Sequence, residues 1–458
     1  MKGRKMKKFI LILIIFLLAA NLQANDNFVF DAHEDDHSQF NKGTIIPVNN
    51  TSLFFALEDT EQDHAPEEKK SFFKRNRTFE FGIANLNLGF ANNLLSLTDI
   101  FQETLVIDLN QLNRGFHLGF DVNVRPLFFN INIKDRWGFG LDIANVTAYG
   151  NINIHRDLLQ IRESENALFG AGAAAFVEVG IPAFFTIRNI WHRNLKIRVR
   201  PAGYVTLAYT SPDMRYTLRN IREEGNRGVL LDVDFGARIH TAVSFENGLD
   251  FSTLDFSTLD VGSLLGLDFS IGAEYPLFSW IDVGLEITNI PLKRSTLRHY
   301  MEMRGSFTLD SSKINLDDIF GGSLPDDLFD FNLPDGFVYG ESDISIWRPF
   351  KMVFYANFRP FASVPFTAIG KIGFAVNPLF VQKGSIEIAG MARYSLGNII
   401  ITTFGMGYEN QMWKNSLDFI FNLHVFELNL GASMQSQQFA KSWQAAGLRV
   451  NLGLKFGF

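Results

Sequence analysis

Ala446-Gly447-Leu448-Arg449-Val450-Asn451-Leu452-Gly453-Leu454-Lys455-Phe456-Gly457-Phe458, at the end of the chain, alternates without a fault. Leu448, Val450, Leu452, Leu454, Phe456 and Phe458 share one face of an extended chain. Arg449, Asn451, Lys455 and the glycines share the other. A period of two is the signature of a β-strand with one apolar and one polar face.

Working outward, the same period runs back to Arg77. Phe116, Leu118, Phe120, Val122 and Val124 alternate with His117, Gly119, Asp121 and Asn123. Leu195, Ile197 and Val199 alternate with Lys196, Arg198 and Arg200; Val229, Leu231, Val233 and Ile239 alternate with Asp232, Asp234, Arg238 and His240. The spans read as strands are Thr78–Phe90, Gly115–Arg125, Arg136–Ala148, Leu168–Ile181, Leu195–Thr210, Val229–Phe245, Leu264–Tyr275 and Trp280–Ile290. They continue with Leu297–Leu309, Trp347–Arg359, Phe366–Val376, Gly384–Tyr394, Ile399–Glu409, Asn415–Met434 (one strand or two) and Ala446–Phe458.

Soluble sandwiches also alternate, but three features point to lipid. The spans are about ten residues or longer, enough to cross a bilayer at a tilt, whereas soluble strands average roughly five or six. Their polar faces carry charge and abundant glycine, as a barrel interior does. The six Trp (137, 191, 280, 347, 413 and 443) fall at or next to strand ends, where an interfacial girdle belongs. Strands satisfy their backbone groups inside hydrocarbon only by closing on themselves. The expected fold is all-β, a transmembrane antiparallel up-and-down barrel over residues 77–458. Fifteen or sixteen spans are visible, and some will be extensions of neighbours, so about 14 strands are expected within a range of 12–16.

The 458 residues include 47 Phe and no Cys, and the formal charge is −7. Without thiolates there is no disulfide framework and no cysteine-ligated metal centre. The acidic balance speaks against nucleic acid as a partner. Lys2, Arg4, Lys5, Lys7 and Lys8 precede the apolar run Phe9–Ala20 and a small-residue site at Ala24, the order of a secretory signal peptide over residues 1–24. Its removal takes the net charge from −7 to −12. Residues 25–76 are acidic and unpatterned and read as mostly disordered, with a plug-like hatch as the alternative.

Several motifs are read conservatively. His33-Glu34-Asp35-Asp36-His37 matches H-E-x-x-H in form, but no apolar helical face surrounds it, so it reads as a solvated tail and no metal site is assigned. Residues 91–114 have a weakly helical spacing that suits a plug or cap. Asp250-Phe-Ser-Thr-Leu is repeated at once as Asp255-Phe-Ser-Thr-Leu and reads as an expanded loop. Residues 310–346, with nine acids against Lys313, read as a long solvated loop. No nucleophile elbow or phosphate loop occurs, so no catalytic residue and no cofactor is assigned. The candidate interior-lining charges are Lys196, Arg198, Arg200, Asp232, Asp234, Arg238, His240, Glu274, Asp282 and Glu286.

The C-terminal strand resembles that of bacterial outer-membrane proteins. That resemblance implies an assembly signal at Leu452, Leu454, Phe456 and Phe458, with the β-barrel assembly machinery and outer-membrane lipid as partners in a diderm bacterium. Arg136-Trp-Gly-Phe-Gly-Leu-Asp142 and Asn289-Ile-Pro291 resemble phrases in spirochaetal, notably treponemal, outer-membrane barrels. In plan, about 14 strands behind an N-terminal segment, the chain is similar to the long-chain fatty-acid transporter family. The resemblance implies passive uptake of small or hydrophobic solutes. A loop-borne adhesin or structural barrel, and a general diffusion porin, are the other readings.

Overall fold

In the computed structural model the described residues are 78–92, 116–133, 136–154, 164–190, 193–210, 213–223, 226–244, 260–310, 329–332, 337–361, 364–376, 384–396, 399–409, 412–423, 425–436, 439–444 and 446–457. The signal sequence, the 25–76 segment, the His33–His37 motif, the duplicated pentapeptide, Trp191 and Phe458 lie outside them, as does nearly all of 91–114.

The strands are β1 (Phe79–Asn92), β2 (Phe116–Ile133), β3 (Trp137–Ile154), β4 (Ser164–Gly180), β5 (Ala183–Ile190), β6 (Arg193–Thr210), β7 (Asp213–Glu223), β8 (Asn226–Thr241), β9 (Leu265–Phe278) and β10 (Ile281–Lys293). They continue as β11 (Ser295–Asp310), β12 (Phe329–Asn332), β13 (Val338–Ile346), β14 (Phe350–Phe358), β15 (Phe366–Val376), β16 (Gly384–Leu396), β17 (Ile400–Glu409), β18 (Met412–Asn422), β19 (Phe426–Ser436) and β20 (Gly447–Gly457). All pair antiparallel.

Several strands follow one another along the same neighbours. β4 and β5 both lie between β3 and β6. β6 continues as β7 along β4. β8 and β9 divide one side of β6 between them, β10 and β11 pair with them in turn, and β12, β13 and β14 run along β11 and β10. The twenty strands therefore form fourteen staves. β1 pairs with β20 from Glu80↔Gly457 to Phe90↔Leu448, so the sheet closes. Two pairs of sequence spans turn out to be single staves: Val229–Phe245 with Leu264–Tyr275, and Trp280–Ile290 with Leu297–Leu309.

Burial is inverted relative to a soluble protein. Along β20, Leu448, Val450 and Leu452 are 41–47% exposed on the outside, while Arg449 is buried inside. Phe404, Met406, Leu417, Phe419 and Leu430 repeat this on the neighbouring staves. An apolar exterior on a closed barrel is a lipid-facing surface. Leu452, Leu454 and Phe456 lie on this outer face, and the Phe456 ring stacks on Phe81 with centroids 5.3 Å apart.

Aromatic rings gather at both rims. Trp137 stacks on Phe139, and Trp280 packs between Phe278 and Phe358, at the rim that holds the termini. At the other rim Trp413 meets Tyr408 and Phe439, and Trp443 stacks on Phe404. Connections at the termini's rim are short; the connections 93–115, 155–163 and 311–328 leave the opposite one. Short turns face the periplasm in such barrels and long loops face outward, which orients the molecule.

The wall is uneven in height. β6 and β7 together run from 193 to 223, and β10 and β11 from 281 to 310, whereas β17 to β20 hold ten or eleven residues each. The surplus rises beyond the outer rim as a sheet of β7, β8, β11, β12 and β13. Here the expectation for 310–346 needs correction. Residues 329–332 and 338–346 are strands that pair with β11. Glu341 accepts two hydrogen bonds from Arg298 (3.0 and 2.8 Å), but both groups are exposed. Glu341→Gln should therefore change stability by less than about 1 kcal/mol, as read by denaturant unfolding in micelles.

Candidate functional site

Two stretches of the chain share a phrase, Gly140-Leu-Asp-Ile-Ala-Asn145 and Gly284-Leu-Glu-Ile-Thr-Asn289. Both end where a strand breaks register. The β3–β4 ladder shifts between Asp142 and Asn145, and the β10–β9 ladder between Ile287 and Ile290. Ala144 (φ 52°) and Asn289 (φ 55°) adopt left-handed backbone there. Proline marks the same level on other staves: Pro126 on β2, Pro182 between β4 and β5, Pro201 on β6 and Pro349 before β14. Proline and bulges re-aim side chains and bend strands.

What the bends aim inward is one buried network. The Arg200 guanidinium reaches Asp142 at 3.0 Å and Glu178 at 2.8 Å. Arg348 donates to both oxygens of Asp268 (2.6 and 2.8 Å) and to Asn289 Oδ1 (3.0 Å). Arg125 contacts Asp142, Asn145 donates to Glu178, and Arg348 also contacts Glu178. Each of these residues is less than one-tenth exposed. Staves two to eight contribute one after another: Arg125, Asp142 with Asn145, Glu178, Arg200, Asp268, Asn289 and Arg348. Three guanidinium groups face three carboxylates, so the belt is neutral and its desolvated charges are paired. Gly180 is needed because the Arg200 guanidinium lies where a Cβ would project.

On the outer side of this belt the interior becomes apolar. Tyr149, Phe176, Tyr204, Leu297 and Ile346 are almost fully buried and pack together with Leu264. The rings of Tyr149 and Phe176 are 5.9 Å apart, and Tyr204 meets Phe176 edge-on at 6.0 Å. Gly266 leaves room for the Tyr204 ring. At this height the sixth stave is cut by an excursion between Thr241 and Leu265, and the short helix α1 (Val261–Leu264) returns the chain to it. Thr206 N–H, opposite the cut, donates instead to Ser295 Oγ (3.2 Å).

On the periplasmic side and along the short wall the interior is polar and filled. Arg198 pairs with Glu274 (3.5 Å), Lys351 with Glu387 (2.6 Å), Arg449 with Asp121 (2.8 Å) and Lys455 with Glu427 (3.0 Å). Arg359 contacts Asp282. Small voids lie between these pairs. One, of about 60 Å³, lies among Lys414, Glu409, Asp418 and Arg449; another, of about 20 Å³, lies among Glu286, Lys351, Lys371 and Glu387. Neither is large enough for more than a water or two.

The ten charges picked from the sequence fall into two groups. Lys196, Arg198, Arg200, Glu274, Asp282 and Glu286 are on inward faces of β6, β9 and β10, with the Lys196 ammonium 4.8 Å above the Phe184 ring. Asp232, Asp234, Arg238 and His240 are on β8, in the sheet that rises past the outer rim. Period two alone carries no depth, so strand and extension look alike in sequence. There Asp232 accepts from Thr308 (2.8 Å), and Arg238 pairs with Glu302 (2.7 Å) over the Tyr300 ring. Burial, with Arg238 beside it, pushes the His240 imidazole below its ordinary pKa.

Arg125, Asp142, Asn145, Glu178, Asp268, Asn289 and Arg348 were not among the sequence candidates. The duplicated Gly-Leu-acid-Ile-x-Asn phrase and the prolines were the available signal, since each marks a break in an otherwise regular strand.

No protein-family model and no curated protein matches the chain. Among solved structures, it is similar to the toluene transporter TodX of P. putida, at 7% identity, TM-score 0.40, over 84% of this chain and 91% of that one. It is similar likewise to the Ralstonia pickettii toluene transporter TbuX, at 8% identity, TM-score 0.42, over 84% and 90%. A Pseudomonas aeruginosa FadL homologue follows, at 8% identity, TM-score 0.35, over 83% and 89%. At such identities no residue role passes from them to this chain.

Proposed function

We propose that the barrel mediates uptake of small hydrophobic solutes across the outer membrane of a diderm bacterium, in the manner of the fatty-acid transporter family. The observation that carries this reading is the buried aromatic cluster of Tyr149, Phe176 and Tyr204, inside a barrel whose interior is otherwise largely polar. Interior aromatics on the outer side of a neutral charge belt give an apolar solute a place to leave water. A diffusion porin needs a wet bore, whereas the described interior is crossed by the buried ion pairs of the belt. The signal peptide over 1–24 and the assembly signal at Leu452, Leu454, Phe456 and Phe458 deliver the chain to that membrane. The kinship with spirochaetal barrels rests on the Arg136–Asp142 and Asn289–Pro291 phrases alone.

Reconstituted in lipid vesicles, the full chain should accelerate entry of a monoaromatic hydrocarbon or a fluorescent fatty acid over protein-free vesicles, and should show no steady conductance in planar bilayers. Steady ohmic conductance would identify a porin. Neither uptake nor conductance would favour the surface reading, which the tall sheet of β7, β8, β11 and β13 supports independently.

A further inference from the structure

We infer that Glu178 and Arg348 form a latch across the barrel interior, and that the interior opens when this contact parts. The inference names the regulation of the proposed passage and rests on that reading.

Glu178 is on the fourth stave and Arg348 on the eighth. Fourteen staves about 4.8 Å apart, tilted by about 40°, make a circular barrel of roughly 14 Å radius. Positions four staves apart are then separated by about 22 Å. Extended Arg and Glu side chains together reach only about 12 Å at ordinary bond lengths. The contact therefore exists because the wall is drawn inward, and the register breaks at Asp142–Asn145 and Ile287–Ile290 lie at the height of the indentation. Tyr204 repeats the crossing without charge. Its hydroxyl lies 3.3 Å from the Lys293 carbonyl and 3.2 Å from that of Ile346, joining the fifth stave to the seventh and eighth.

Separating a buried ion pair normally strands both charges. Here each partner keeps a counter-charge on its own side. Glu178 retains Arg200 at 2.8 Å and Asn145, and Arg348 retains both oxygens of Asp268. Arg348 is also held by Asn289, so it stays aligned to re-form the contact. Opening thus divides the belt into two smaller sets that remain paired, Arg125–Asp142–Arg200–Glu178 and Arg348–Asp268. A network meant only to staple the wall would gain nothing from being divisible at this one crossing.

The test uses the purified full-length chain in planar bilayers and in vesicles loaded to report uptake. Glu178→Gln should show steady conductance where wild type shows none, and Tyr204→Phe, which removes no charge, should move conductance in the same direction. Because the sequence has no Cys, the pair Glu178→Cys and Arg348→Cys can be bridged with a bis-methanethiosulfonate, each thiolate displacing a sulfinate, and the two disulfides so formed can be cleaved with a reductant. Cross-linking should abolish conductance and cleavage should restore it. Unchanged conductance in Glu178→Gln and Tyr204→Phe, with wild-type circular dichroism, would overturn the latch. If Glu178→Gln fails to fold, indifference of the cysteine pair to cross-linking overturns it equally. Conductance without hydrocarbon uptake in any variant would leave the latch standing and remove the hydrophobic cargo. Uptake by wild type with no response to Glu178→Gln or to cross-linking would do the reverse.

Discussion

Arg200→Met is expected to lower the stability of the folded barrel by about 3–5 kcal/mol, the usual cost of removing one partner from a buried charge set. Arg200 touches two carboxylates, Asp142 and Glu178. Methionine fills much of its volume, so packing changes little while the local balance moves from neutral to one uncompensated negative charge. Arg125 and Arg348 remain, but they are already committed to Asp142 and to Asp268 with Glu178. Guanidinium unfolding in lipid vesicles, followed by tryptophan fluorescence, reads the effect. The exposed Arg298, on the outer sheet, is the natural comparison; its loss should stay within about 1 kcal/mol. A change below that figure for Arg200→Met would mean that water already reaches the belt.

Leu430→Arg is expected to cost about 2–4 kcal/mol, because it places a cation near the bilayer midplane on the lipid face. Leu430 lies in the middle of β19, 45% exposed, with Phe419 of β18 and Leu452 of β20 opposite it on the same outer surface. The neighbouring position Asn429 points the other way and is buried. The same arginine near a strand end, at Leu448, should cost clearly less, since the penalty falls toward the interfaces. Folding titrations of both variants in vesicles would show the difference. Equal costs at the two depths would contradict the lipid-facing assignment.

Much of the architecture is written plainly in the chain. Alternation from Leu448 to Phe456 and its echoes upstream dictate strands with an apolar outside, and the count of about 14 survives once extensions are merged with their neighbours. Two things are not legible. Period two is the same whether a strand lies in lipid or rises into water, so Asp232, Asp234 and Arg238 look like interior residues although they sit beyond the rim. Nor does alternation tell which inward charges meet. Arg348 and Glu178 are 170 positions apart, and their contact depends on bends that local pattern reports only as interruptions. The acidic 338–346 stretch misleads for a related reason. Its charge argues for solvent, and its apolar positions do not alternate cleanly because the pairing with β11 shifts register between Glu341 and Ile344, yet in an extracellular sheet it is a strand.

The low side of the wall has a consequence for where the protein can reside. Ten or eleven residues per stave, at about 3.4 Å each and tilted by about 40°, cover only some 26–29 Å along the bilayer normal. That covers the apolar band of about 25 Å that outer-membrane barrels present with only a few ångströms to spare. The high side imposes nothing comparable, since its surplus stands in water. A lopsided barrel of this kind fits a thin membrane on its low side and stands in water on its high side, so wall height, and not the number of strands, sets how far each flank projects from the lipid.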